Sequence, residues 1–193
     1  MNVRGMSIVG LTTLAVCAGL VGAPADAQRR PGAERVVPDL SPEGTVSQVI
    51  GVNCKISVWY HRPGVKSRTV WGGQLVPDGR VWRAGANENT TITFEEDVKV
   101  EGQDLPAGKY GFFVLLSGDE VTLIFSKDSE SWGSFSYNEA NDALRVTVGL
   151  ESADHMERLA IGFEDLEDYS CSAYLYWESK KVKFKIEAVN KAS

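Results

Sequence analysis

Apolar and polar side chains alternate without a break from Val52 to Tyr60, with Val52, Cys54, Ile56, Val58 and Tyr60 on one face and Asn53, Lys55 and Ser57 on the other. A period of two is what a strand with one buried face requires. Thr90 to Phe94, Tyr110 to Leu116, Val121 to Ser126, Leu144 to Leu150, Arg158 to Phe163, Cys171 to Trp177 and Val182 to Glu187 follow the same rule. All are short, rich in β-branched or aromatic residues, and bounded by turn formers such as Pro63-Gly64, Pro77-Asp78-Gly79, Pro106-Ala107-Gly108 and Gly118-Asp119. Only Tyr137 to Ala143 has a helical reading, of about two turns. Strands at this spacing, with no long amphipathic helix between them, predict an all-β fold. The expected architecture is an antiparallel β-sandwich of Greek-key or jelly-roll type.

The amino-terminal segment has a different pattern. Arg4 precedes an apolar run from Ile8 to Gly22, and Ala25-Asp26-Ala27 supplies the small-x-small motif that signal peptidase cuts. Residues 1–27 therefore read as a signal peptide cleaved after Ala27, which places the mature chain in the periplasm or outside the cell. The apolar run falls short of the roughly 20 residues of a membrane span, so no transmembrane segment is expected in the mature chain. Leu14-Ala15-Val16-Cys17 is similar to a lipobox, but valine is a poor fit directly before the cysteine, so cleavage is preferred over lipidation. Gln28 to Leu40 carries two prolines and no periodicity, as a flexible lead-in would. Residues 41–190 then form a single domain, the natural count for a chain of this size.

Charge changes the picture. The chain is net −6, yet between His61 and Arg83 the cations Arg62, Lys66, Arg68, Arg80 and Arg83 stand against Asp78 alone. An acidic protein that gathers its arginines beside Trp59, Trp71 and Trp82 presents an electropositive, aromatic-walled spot suited to a small anionic or polar ligand. Nothing in its balance suits nucleic acid. Arg62-Pro63-Gly64-Val65-Lys66-Ser67-Arg68 reads as a turn in which proline presets φ and glycine permits φ > 0. Its cations make either a solvated hairpin tip or an anion clamp with Arg62 and Arg68 as forks.

Trp82-Arg83-Ala84-Gly85-Ala86-Asn87-Glu88 also leaves two readings open. In one, Arg83, Asn87 and Glu88 line a pocket walled by Trp82. In the other, Arg83 and Glu88 form an ion pair and Asn87 takes a left-handed turn position, so that the block serves only to lock a loop. Trp132, in Trp132-Gly133-Ser134-Phe135-Ser136-Tyr137, is either an aromatic shelf for a sugar or other flat ligand, or a cap on the core. Lys181, Lys183 and Lys185 alternate with Val182, Phe184 and Ile186, which suits the solvent face of an edge strand.

Cys54 and Cys171 both fall on core-facing positions of their strands, and an oxidising compartment would let them pair as a disulfide. The alternative is two buried free thiols. Outside the signal segment the histidines are His61 and His155, with no His-x-His, His-Glu-x-x-His or Cys-x-x-Cys arrangement, so no metal or cofactor is expected. No nucleophile elbow, phosphate loop or dinucleotide fingerprint is present. The preferred function is a non-catalytic binding module. The alternatives are a hydrolase-like enzyme using Glu88 with Asp78 or Glu95, and a purely structural envelope protein. The oligomeric state has no signature in the sequence.

Five ordered blocks carry a family resemblance: Ser-Pro-Glu-Gly-Thr-Val-Ser-Gln-Val-Ile-Gly at 41–51, Tyr-His-Arg-Pro-Gly-Val-Lys-Ser-Arg at 60–68, Leu-Val-Pro-Asp-Gly-Arg-Val-Trp-Arg-Ala-Gly-Ala-Asn-Glu at 75–88, Asp-Val-Lys-Val-Glu-Gly-Gln-Asp-Leu-Pro-Ala-Gly-Lys-Tyr-Gly at 97–111, and Trp-Gly-Ser-Phe-Ser-Tyr at 132–137. Together they resemble the bacterial domain of unknown function 2911 family over nearly the whole mature chain. The resemblance implies exported bacterial proteins with a β-rich domain, and no activity. Asp78 and His61 depart from the family pattern, so the resemblance assigns His61 no role.

Overall fold

The computed structural model describes residues 40–189. The expected signal peptide, residues 1–27, and nearly all of the expected lead-in lie outside the described residues. Ten strands account for the fold: β1 (Glu43–Ile50), β2 (Cys54–His61), β3 (Val81–Trp82), β4 (Thr91–Phe94), β5 (Val98–Val100), β6 (Gln103–Leu105), β7 (Gly108–Ser117), β8 (Glu120–Ser126), β9 (Asp142–Glu164) and β10 (Ser170–Ala188). Every strand pair is antiparallel, so the chain is all-β. The ladder runs β1-β2-β4-β7-β8-β9-β10-β5-β6 with β3 added beside β7, a single hydrogen-bonded sheet in place of the two expected. Among the described residues no helix is long and apolar enough to cross a membrane.

β9 explains the continuity. Its first part, Asp142 to Gly149, pairs with β8, and its second part, Leu150 to Glu164, pairs with β10. The two strands read separately at 144–150 and 158–163 are therefore one, as are those at 171–177 and 182–187. The sheet doubles back so that its late strands cover its early ones: Phe184 of β10 meets Phe112 of β7 and Phe125 of β8 at 5.9 and 6.2 Å between ring centroids. Tyr60 of β2 accepts a hydrogen bond from the Ile161 amide of β9 at 3.0 Å. The core lies between these layers, with Ile56, Val58, Ile92, Leu123, Leu159 and Leu175 all sealed from solvent.

The two turns of helix expected at 137–143 reduce to one 3-10 turn, Glu139–Asn141, capped by Asn138 accepting from the Ala140 amide. Asp142 is already committed to the β8 ladder, opposite Ser126, and leaves no room for a second turn. The expected disulfide is not formed: Cys54 and Cys171 are both buried as free thiols. Their core-facing orientation follows from the strand alternation. Pairing also needs the Cβ vectors to converge, which alternation does not determine.

Candidate functional site

The segment from His61 to Asn89 leaves β2, touches the sheet again where β3 pairs with β7, and returns at β4. On the way out it runs beside β9, with the Leu159 amide donating to Pro63 O at 3.0 Å and the Val65 amide to Glu157 O at 2.8 Å. Two of the turn's cations are tied to backbone carbonyls there. Arg62 donates from Nε to Leu159 O at 3.0 Å, and Arg68 donates from Nε to Val65 O at 3.0 Å and from Nη2 to Gly64 O at 2.7 Å. The positive φ angles fall on Lys66 and Ser67 rather than on Gly64. Glycine at 64 is needed for space instead, because a Cβ would lie 3.0 Å from Glu157 Oε1. The Lys66 amide donates to that same oxygen at 3.0 Å and holds the Glu157 carboxyl below its usual range. The Lys66 side chain is exposed.

The tryptophans of the segment divide. Trp71 and Trp82 are buried, with Trp82 stacked on Trp177 at 5.6 Å and Trp71 donating from its indole to Trp177 O at 3.0 Å. Trp59 points to the opposite face of β2. The Trp82 indole donates to Gly85 O at 3.1 Å, and the Thr90 hydroxyl donates to Ala84 O at 3.1 Å. These bonds draw the 83–90 loop so tight that a Cβ at Gly85 would sit 2.6 Å from Thr90 Oγ1. Ala84 and Asn87 supply the left-handed corners, at φ 50° and 56°.

Arg83 and Glu88 are not partners. Glu88 Oε2 lies 2.8 Å from His61 Nε2, while His61 Nδ1 lies 2.7 Å from Ser41 O and 3.2 Å from Asn87 Nδ2. No local pattern links His61 to Glu88; the two meet because β2 ends where the loop returns. Asp78 accepts from the Gly118 amide at 2.8 Å, and Glu95 faces Lys55 at 3.8 Å, so each carboxylate suggested as a companion to Glu88 has its own partner.

Arg83 stands differently. Its Nε is buried with no acceptor among the described residues, and burial lowers its pKa from the usual arginine value. Gly133 is pressed against its stem, where a Cβ would meet Cδ at 3.2 Å. With Ser41, Pro63, Arg68, Gln74, Leu75, Trp82 and Trp177 it lines a crevice of about 280 Å³. Trp177 lines it too, and its indole N–H is buried without an acceptor among the described residues. The crevice shares Arg68, Gln74 and Leu75 with a neighbouring hollow of about 350 Å³. Trp177, Gln74 and Leu75 carry no sequence signal for such a place, since Trp177 reads as core and the other two as loop.

Trp132 and Glu88 belong to a second hollow, a groove of about 500 Å³ on the outer face of the sheet that also includes Trp59, Asn89 and Lys109. The residues expected to form one site thus occupy three places: the backbone turn, the arginine crevice and the tryptophan groove. Among the described residues no group of three or more His, Cys, Asp or Glu side chains is placed to hold a metal ion.

No curated protein and no solved structure matches the chain. A family model, described as "Protein of unknown function (DUF2911)", matches residues 41–186, from just before β1 into β10. With that match spanning the strands, the turn and both hollows, the chain belongs to the DUF2911 family.

Proposed function

We propose that this protein is an exported, non-catalytic binding module that takes a small oxyanion, a carboxylate, sulfate or phosphate group, in the Arg83 crevice. One observation carries the reading: Arg83 and Trp177 line the same crevice, and each has a buried N–H, at Nε and Nε1, with no acceptor among the described residues. Each such group costs about 1–3 kcal/mol when left unmatched, so an oxygen acceptor entering here recovers energy the fold has forgone. A half-buried guanidinium with no counter-charge among the described residues favours an anion over a neutral acceptor. The lining side chains include no carboxylate, histidine or cysteine, which supports binding rather than turnover. Export is supported by the Arg4, Ile8–Gly22 and Ala25-Asp26-Ala27 pattern. The doubled sheet supports the sandwich reading of the fold.

The test is a thermal melt of wild type and Arg83→Met in rising phosphate, sulfate and succinate. A specific site raises the wild-type midpoint, by the equivalent of about 2.7 kcal/mol at a hundredfold excess over Kd, and leaves the variant behind. Equal shifts in both proteins would reduce the effect to general salt stabilisation and end the proposal.

A further inference from the structure

The groove on the other side of the 129–133 loop has its own chemistry. Its floor follows from the strand register: Trp59 is opposite Thr91, Thr91 opposite Gly111, and Thr93 opposite Lys109. The adjoining row Val58, Ile92 and Tyr110 faces the core. Successive side chains alternate, so Trp59, Thr91, Thr93 and Lys109 stand on the outer face. An outer face is ordinarily flat. Here it is hollow because Gly111 contributes no side chain and the loop beyond β8 arches over it, with the Asp128 carbonyl where a Gly111 Cβ would be.

Aromatic surface and polar groups converge in this groove. Trp132 is 61% exposed on the loop, and Trp59 lies on the floor, set edge-on to the His61 ring. Asn89 is only 3% exposed, and its Oδ1 is buried without a donor, while Nδ2 reaches Ser131 Oγ at 3.5 Å. Turning the amide over only exchanges which of the two atoms is left unmatched. Glu88 offers the oxygen that His61 does not hold. The acids already hold partners, Glu88 the His61 ring at 2.8 Å and Glu130 the Lys109 ammonium at 2.7 Å. With its carboxylates so engaged, the groove has less to offer an ion. It retains neutral donors and acceptors beside tryptophan faces, which is how a sugar ring is held: hydroxyls to the polar groups, the C–H face against the indole.

We propose that the Trp59–Trp132 groove binds a neutral saccharide, its hydroxyls donating to Asn89 Oδ1 and the Glu88 carboxylate and its ring lying against Trp132. The site is independent of the Arg83 crevice, from which Gly133 and the loop divide it.

The experiment is titration of the folded protein with cellobiose, maltose and N,N′-diacetylchitobiose, followed by tryptophan fluorescence and calorimetry. At least one of the three binds with a Kd in the millimolar range or below. Trp132→Ala weakens that affinity by about tenfold or more with an unchanged melting temperature, since an exposed tryptophan contributes to the ligand and not to the core. Glu88→Gln weakens it too, and Arg83→Met leaves it unchanged, so loss of the anion site and loss of the saccharide site are told apart. Failure of all three sugars at saturating millimolar concentration would overturn the proposal. Sugar binding that survives Trp132→Ala would also overturn it, as would tetramethylammonium binding at this groove in preference to sugar.

Discussion

Arg83 carries a charge that no acidic side chain among the described residues pairs with, so its effect on stability should be the reverse of that of the neighbouring arginine at 68. Arg83→Met keeps the apolar stem and removes an unmatched, half-buried donor, and it should leave stability unchanged or raise it by up to about 1 kcal/mol. Arg68→Met removes two hydrogen bonds that close the turn onto Val65 and Gly64, and should cost about 1–2 kcal/mol. Urea unfolding of the two variants checks the contrast; equal losses would mean that Arg83 is bracing the fold. The thiols make a second residue-scale prediction. Burial, and then the proximity of Cys54, pushes the Cys171 thiol up to about 11, and burial raises Cys54 as well. An unfolded thiol titrates near 9, so above that pH the unfolded chain releases protons that the native chain keeps. Stability is full below pH 9 and falls as pH rises toward 11, by about 2–3 kcal/mol at most for Cys171. Urea midpoints across this window should fall in wild type and flatten in Cys171→Ala. Thiol reagents should find neither cysteine until the protein unfolds.

At the scale of elements, glycine positions separate what the fold needs from what it tolerates. Gly111 of β7 has the Asp128 carbonyl and Asn89 Nδ2 directly where a Cβ would go, the latter at 2.7 Å, while Gly149 of β9 has nothing within 4 Å. Gly111→Ala should therefore cost about 1–3 kcal/mol by displacing the loop over the groove, and Gly149→Ala should be neutral or slightly stabilising. Thermal melts of the pair decide this, and equal melting would show that the loop is not seated on Gly111. The same local packing explains which strands were legible. β2 could be read because one face is sealed and the other wet, although it begins at Cys54 and not at Val52, which lies 81% exposed in the preceding turn. β1 was missed because only Ile50 among its residues is buried, and β5 and β6, at three residues each, are too short to show a period. The middle of β9, Glu151 to Glu157, is exposed or half-exposed on both faces and shows no alternation, which made one strand look like two.

For the whole molecule, the sequence carried the strand class, the turns and the family, while the joining of the strands into one doubled sheet depended on pairings that no local pattern records. The site shows the same division. Asn87 was readable as a left-handed corner because its residue type and the small residues before it demand one. That Glu88 would meet His61, that Arg83 would lie under Gly133, and that Trp177 would line the crevice follow from contacts between distant segments. The doubling of the sheet stacks Trp177 of β10 on Trp82, and Trp177 lines the crevice together with Arg83, each with one buried N–H unmatched among the described residues. The most direct test of that arrangement is the Arg83 Nε–H resonance in nitrogen-15 labelled protein, assigned by its loss in Arg83→Met. Added phosphate, sulfate or succinate should move this resonance and slow its exchange with water at concentrations that leave the other arginine side-chain signals in place. A resonance that stays unmoved while the anion is in large excess would contradict the account.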